Sequence, residues 1–303
     1  MNNIKKIISF ALALLLIFSG QMVYAKEETS TIIYGAALSE DERTSTKALF
    51  SDKNAKEDII TGEDYDRYLG DENTSDASLI SSVQVTTGVK EGGISVSIVT
   101  PENITKITAD QYVNAVLTSG LGDSNIEVAA IRPVTGESAL AGIYKVAEVN
   151  GIKLDEKDMK LAEEELTILS DVSENNKEKD DFEDSKFQDA ITNIKIEIAN
   201  LVENKGGVEN VSESDVRDIV INIFNELNIN INESDIDKIV DFMVKFKDNI
   251  DVNRINEFLG QAEKIVGGFI KDAKDSGFWD RIVEFFSDLW NSIVSLFSDL
   301  SNK

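Results

Sequence analysis

Three stretches of this chain bring together residue types that could do chemistry. Gly136-Glu137-Ser138-Ala139-Leu140 follows a short β-branched run and opens a helical one, which puts a serine and unpaired backbone N–H groups at a strand-to-helix turn. The turn carries half of a nucleophile elbow, but the second glycine is missing and the chain has no histidine to activate Ser138. The same turn could hold an anion, with Arg132, Thr135, Gly136 and Ser138 as its residues. The structural alternative is a backbone angle supplied by Gly136 and a helix start at Ser138. Asp71-Glu72-Asn73-Thr74-Ser75-Asp76 places oxygen side chains at the first, third and fifth positions of a calcium loop. Asp76 stands where a glycine is needed, however, and Ser82 where a bidentate glutamate is needed. Asp64, Asp66 and Arg67 are the first place to look for an acid pair, although nothing in a sequence says which of 56 acids converge across a cleft.

Composition removes more chemistry than it suggests. With no cysteine there are no disulfides, no thiolate nucleophile and no lipid-modified cysteine anchor. With no histidine, Ser-His-Asp and Cys-His catalysis and His-dependent zinc sites are also gone. An enzyme built from this chain would have to use carboxylates, lysine, tyrosine or a hard metal ion. No motif asks for a cofactor or a metal. The formal charge of -26 makes nucleic acid and anionic lipid poor partners and suits a basic surface or loosely held divalent cations.

The elements that must position these residues are clearest over 107–149. Thr108 can cap a helix over 108–119 with Gln111 three residues on, and Gly120 and Gly122 stop it. Residues 126–131 read as a buried strand and 137–149 as a second helix ended by Asn150-Gly151. Upstream, strands are expected at 31–34, around Ile59-Ile60, at 79–87 and at 94–99. Helices are expected at 39–50, capped by Ser39 with Glu42, and at 64–69. Gly88 to Gly93 reads as a hairpin loop. The sum is an α+β fold with a mixed sheet of about five strands and four helices before Gly151.

In these elements the chain also resembles a known family. Tyr34-Gly35-Ala36-Ala37-Leu38-Ser39, Tyr68-Leu69-Gly70, Ser81-Ser82-Val83, Gly92-Gly93-Ile94-Ser95-Val96, Tyr112-Val113-Asn114-Ala115 and the turn from Pro133 to Gly142 stand in the order of the YpuA-like family. The resemblance covers roughly 32–250. It implies a secreted protein of a Gram-positive bacterium with no assigned activity, and it supplies no catalytic residues.

The ends and the second half complete the organisation. Lys5 and Lys6, an apolar run over 7–18 and Val23-Tyr24-Ala25 make a secretory signal peptide over 1–25, cut after Ala25. An α+β domain over 26–172 follows, then an acidic linker over 173–185, then a helical domain over 186–303. Helices are expected at 154–169, 187–203, 213–227, 233–246 and 253–274, with breaks at Gly206-Gly207 and Gly267-Gly268. Two of them begin alike, at Ser212-Glu213-Ser214-Asp215 and Asn232-Glu233-Ser234-Asp235. Over 278–300, Trp279, Ile282, Phe286, Leu289, Trp290, Ile293, Leu296 and Phe297 form the stripe of an amphipathic interaction helix. That stripe is expected to pack on the helices from Val216 and Ile236. Self-association is its alternative use, and membrane contact is disfavoured by an acidic polar face.

These readings converge on a secreted, non-catalytic extracytoplasmic protein that serves as a cell-envelope or extracellular binding module for an unknown partner. Two alternatives stand beside it. One is a carboxylate- or divalent-metal-dependent hydrolase; the other is an assembly or membrane-docking protein acting through the C-terminal helix.

Overall fold

The computed structural model describes residues 28–90, 92–179 and 181–272, with side chains to 265. The signal-peptide segment 1–25 and the interaction helix 278–300 lie outside the described residues. Five strands form one sheet: β1 (Thr29–Gly35), β2 (Lys56–Ile60), β3 (Ser82–Thr87), β4 (Ile94–Ile98) and β5 (Ser124–Ala129). Their order is β2-β1-β3-β5-β4. β1 pairs parallel with β2 and β4 pairs parallel with β5, while both pairings of β3 are antiparallel. Four helices accompany the sheet: α1 (Glu40–Lys47), α2 (Gly62–Leu69), α3 (Ala109–Thr118) and α4 (Ser138–Val149). The described chain continues as α5 (Glu156–Asn176), α6 (Asp184–Lys205), α7 (Glu213–Glu226), α8 (Glu233–Asn249) and α9 (Ile255–Asp272). The α+β class with a helical C-terminal region is therefore as the sequence implies.

Period-two alternation explains the sheet. The register aligns Ile33, Val83, Val128 and Ile98 in one row across four strands, and Thr31, Val85, Ile126 and Val96 in the next. Both rows face the helices, and their apolar members enter the larger core with residues of α3 and α4. The opposite face carries Gln84, Glu127 and Ser97 beside Ile32. Phe50, in the connection after α1, covers Ile32, Tyr34 and Ala129 there.

The expected hairpin between β3 and β4 is not formed, because β5 lies between them. Alternation fixes which face a strand buries but not which strand lies beside it. Ser124, Ile126 and Val128 match the inward residues of β3 on one side and of β4 on the other, so β5 takes the slot. The chain reaches it from β4 through α3, as a parallel pair requires.

Past the sheet, α5 serves two cores. Met159, Ala162 and Leu166 join the sheet-side core, while Leu161, Leu169 and Val172 join a second core with α6, α7 and α8. The acidic linker expected over 173–185 is shorter than its composition suggested. Residues 173–176 finish α5, and Asp184 and Ser185 open α6. Polar side chains order that stretch in place of apolar ones: Asn176 is fully buried and donates to Val172 O and to Asp235 Oδ2. The similar starts at Ser212 and Asn232 are both side-chain caps, accepting from Asp215 N and Asp235 N. Gly206 ends α6 at φ 75°, but α9 runs unbroken through Gly267-Gly268.

Candidate functional site

The residues singled out at the 132–138 turn are each engaged separately. Arg132 Nη1 donates to Glu42 Oε1 at 2.7 Å, Thr135 Oγ1 to Glu137 Oε2 at 3.0 Å, and Ser138 Oγ shares a 2.8 Å hydrogen bond with Ser81 Oγ. Gly136 sits at φ 111°, and its carbonyl accepts from the buried Tyr112 hydroxyl at 2.6 Å. The turn is thus held from outside by Glu42, Ser81 and Tyr112 and tied within itself by Thr135 and Glu137, with its arginine already neutralised. The acidic stretches are also structural. Asp76 Oδ1 accepts from Gly62 N at 2.7 Å, and both Asp66 oxygens accept from Thr74 N. Asp64 bonds Lys145, Arg67 and its own helix cap Thr61. Against partial burial, which pushes it up, those bonds hold its carboxyl below the usual range. Among the described residues no group of three or more acids, histidines or cysteines is arranged to hold a metal ion. The interaction helix from Trp279 to Phe297 lies outside the described residues.

A different place gathers unengaged polar groups around apolar walls. The end of α3, the start of α5, the end of α8 and the start of α9 enclose a half-open cleft whose cavity measures about 70 Å³. Leu117, Leu121, Leu161 and Phe258 wall it, and Asp158, Asp251, Arg254 and Glu257 give it polar edges. That volume suits a short side chain or several waters. It is too small for a nucleotide or a flavin, which need cavities several times larger.

Local structure explains how the cleft is held open. Asp251 Oδ1 accepts from Asn253 N, and its carbonyl accepts from Arg254 N, turning the chain out of α8 into α9. Phe246 and Phe258 pack at 5.5 Å between ring centres and join the two helices. Gly120 has φ 77°, and a side chain there would come within 3.0 Å of Arg254 Nη2, so the glycine makes room for the guanidinium. Arg254 Nε pairs with Glu257 at 3.3 Å, while its two terminal nitrogens have no partner among the described residues. The Asp158 carboxyl has none either. Burial, with Asp155 and Asp251 nearby, pushes it up to about 6, against the pull of Arg254 and Lys157.

Behind the cleft lies an ion pair that sequence reasoning missed. Lys195 and Glu165 are both fully buried and meet at 2.8 Å. Lys195 Nζ also donates to Asn114 O and Thr118 Oγ1, and Thr118 donates to Glu165 Oε2 at 2.5 Å. Burial pushes the Glu165 carboxyl up and the Lys195 ammonium down. Three acceptors around Nζ and two donors on the carboxylate suit the charged pair. Thr118 also lines the cleft, so the pair forms its back support. A polar seam continues from it. Asn114 bonds Gln188 and Thr192, and Gln111 and Gln188 both donate to Ser173. The signal was available in principle: Gln111, Asn114 and Thr118 are spaced by three and four, as are Gln188, Thr192 and Lys195. Each set marks a polar stripe inside an otherwise apolar helix face.

Comparison with known proteins agrees with the resemblance carried by the motifs. A family described as "Protein of unknown function (DUF1002)" matches residues 34–265. The chain is 28% identical over 285 residues, 91% of its own length and 93% of the relative's, to "Uncharacterized protein YpuA" of Bacillus subtilis (strain 168). No solved structure matches it.

Proposed function

The chain belongs to the DUF1002 family of proteins of unknown function, and on that premise we propose that it is an exported, non-catalytic binding module of the cell envelope or extracellular space. The observation that carries this reading is the cleft at the start of α9. It combines apolar walls with one guanidinium and one carboxyl that have free hydrogen-bonding capacity. No histidine or cysteine is present to do chemistry there. Export is supported by Lys5, Lys6, the apolar run and Val23-Tyr24-Ala25. Among the described residues no helix is long and apolar enough to cross a membrane.

One test covers both halves. Protein recovered from culture medium should begin at Lys26 and be retained by isolated envelope fragments. Asn249→Trp, on an exposed rim residue, should fill the mouth and abolish retention without changing the melting temperature. Retention unchanged by that variant would refute the binding role of the cleft. A hydrolase is the second reading, because Asp158 and Asp251 share the cleft and Asp158 is raised. It requires the envelope material to be cleaved, and Asp158→Asn to stop the cleavage.

A further inference from the structure

We infer that the cleft receives a lysine-like side chain of a partner polypeptide, its ammonium docking against Asp158. The inference rests on the binding reading above and adds the chemistry of the ligand. The polar edge carries three carboxylates, Asp158, Asp251 and Glu257, against the single guanidinium of Arg254, whose Nε is already engaged by Glu257. The excess is negative, within a chain of formal charge -26, so an anionic ligand is repelled and a cation attracted. Asp158 is a half-buried carboxyl with no hydrogen-bond or ion-pair partner among the described residues. A cationic ligand N–H donor would supply the missing partner through a charge-assisted bond.

The apolar part fits the same ligand. Leu117, Leu121, Leu161 and Phe258 can line the methylene stem of a lysine, which buries its carbons readily while its head stays polar. The cleft is half-open around a cavity of about 70 Å³, so the end of such a stem can enter while its remainder lies across the mouth. Val252, next in sequence to the lining residue Asp251, is 52% exposed and offers apolar surface to the rest of a partner polypeptide. That landing surface favours a polypeptide over a free amine. Binding should also be linked to protonation. Asp155 and Lys157 on its own element and Asp251 and Arg254 across the cleft set the charge around Asp158, which must be ionised to hold the ligand.

The test titrates the mature chain with an end-blocked five-residue alanine peptide carrying one central lysine, with its norleucine counterpart, and with hexylamine. The lysine peptide should bind saturably and at least about tenfold more tightly than the norleucine peptide. Its affinity should fall about tenfold from pH 7 to pH 5, as a carboxyl near 6 protonates. Asp158→Asn should lose both the lysine preference and the pH dependence without any lowering of its melting temperature. Equal binding of the two peptides, or a lysine preference that survives Asp158→Asn, would overturn the inference. Hexylamine binding as tightly as the peptide would overturn the polypeptide source. If no amine binds while Asn249→Trp still abolishes envelope retention, the ligand class is wrong and the binding reading stands. If Asn249→Trp is also without effect, both fail.

Discussion

At the scale of single residues, the Glu165–Lys195 pair is the most demanding feature, because two charges are held wholly away from water. Removing one partner strands the other. Lys195→Met should therefore lower unfolding free energy by about 3–5 kcal/mol in urea titrations, whereas Glu165→Leu with Lys195→Met should recover most of that loss. A single variant as stable as the double would show that the pair is not charged in the fold. Glu197 makes an opposite prediction about pH. Burial pushes it up from 4.5 to about 7, with Asn200 opposing. A raised carboxyl favours folding most at low pH, and that contribution is lost as pH rises through the folded value. Glu197→Gln should accordingly match wild type near pH 4 and be more stable by roughly 1 kcal/mol at pH 8, allowing for solvent screening. Thermal melts at the two pH values check the sign.

At the scale of elements, local signals placed almost every helix and strand because caps and alternation act within a few residues. Ser39 with Glu42 and Thr108 with Gln111 form reciprocal capping boxes as their sequences imply. The 132–138 turn shows where local reading stopped. Gly136 does supply a backbone angle, but its role is set by Tyr112 and Ile104, which arrive from elsewhere in the chain. A Cβ there would lie 2.7 Å from Tyr112 Oη and 2.9 Å from Ile104 Cγ2. Gly136→Ala should cost about 2–4 kcal/mol through strain and loss of the tyrosine hydrogen bond. Gly151, at φ 69° with nothing near its missing Cβ, should cost only about 1–2 kcal/mol on the same change. Equal costs in denaturant melts would remove the steric argument. The strand-to-helix turn is therefore a packing joint, and its four expected anion ligands face four different partners.

At the scale of the whole molecule, the two cores share α5, and the polar seam between α3 and α6 crosses from one to the other. Limited proteolysis should cut within 177–183, the connection between α5 and α6, before it cuts anywhere else among the described residues. The two fragments should nevertheless elute together by gel filtration under native conditions. A fragment over 28–172 made alone should be less stable than the nicked complex, because Glu165 loses Lys195 and Leu169 and Val172 lose their cover. Fragments that separate freely and melt independently would show that each core stands by itself. Cuts inside α4 would show that the sheet-side core is the weaker of the two.

The sequence by itself determined the element types, the helix caps, the mixed α+β class and the family resemblance, because each rests on short-range periodicity or on residues in a fixed order. It also excluded histidine and cysteine chemistry outright. Only the tertiary structure decided that β5 separates β3 from β4, since several strands carried compatible alternation and pairing between distant segments selects among them. Only the tertiary structure brought Asp158, Asp251 and Arg254 to one cleft and Glu165 to Lys195. Asp158 stands more than ninety residues before the Asp251–Arg254 turn, and Glu165 and Lys195 sit on successive helices, so which of these charges become neighbours depends on how the helix faces pack.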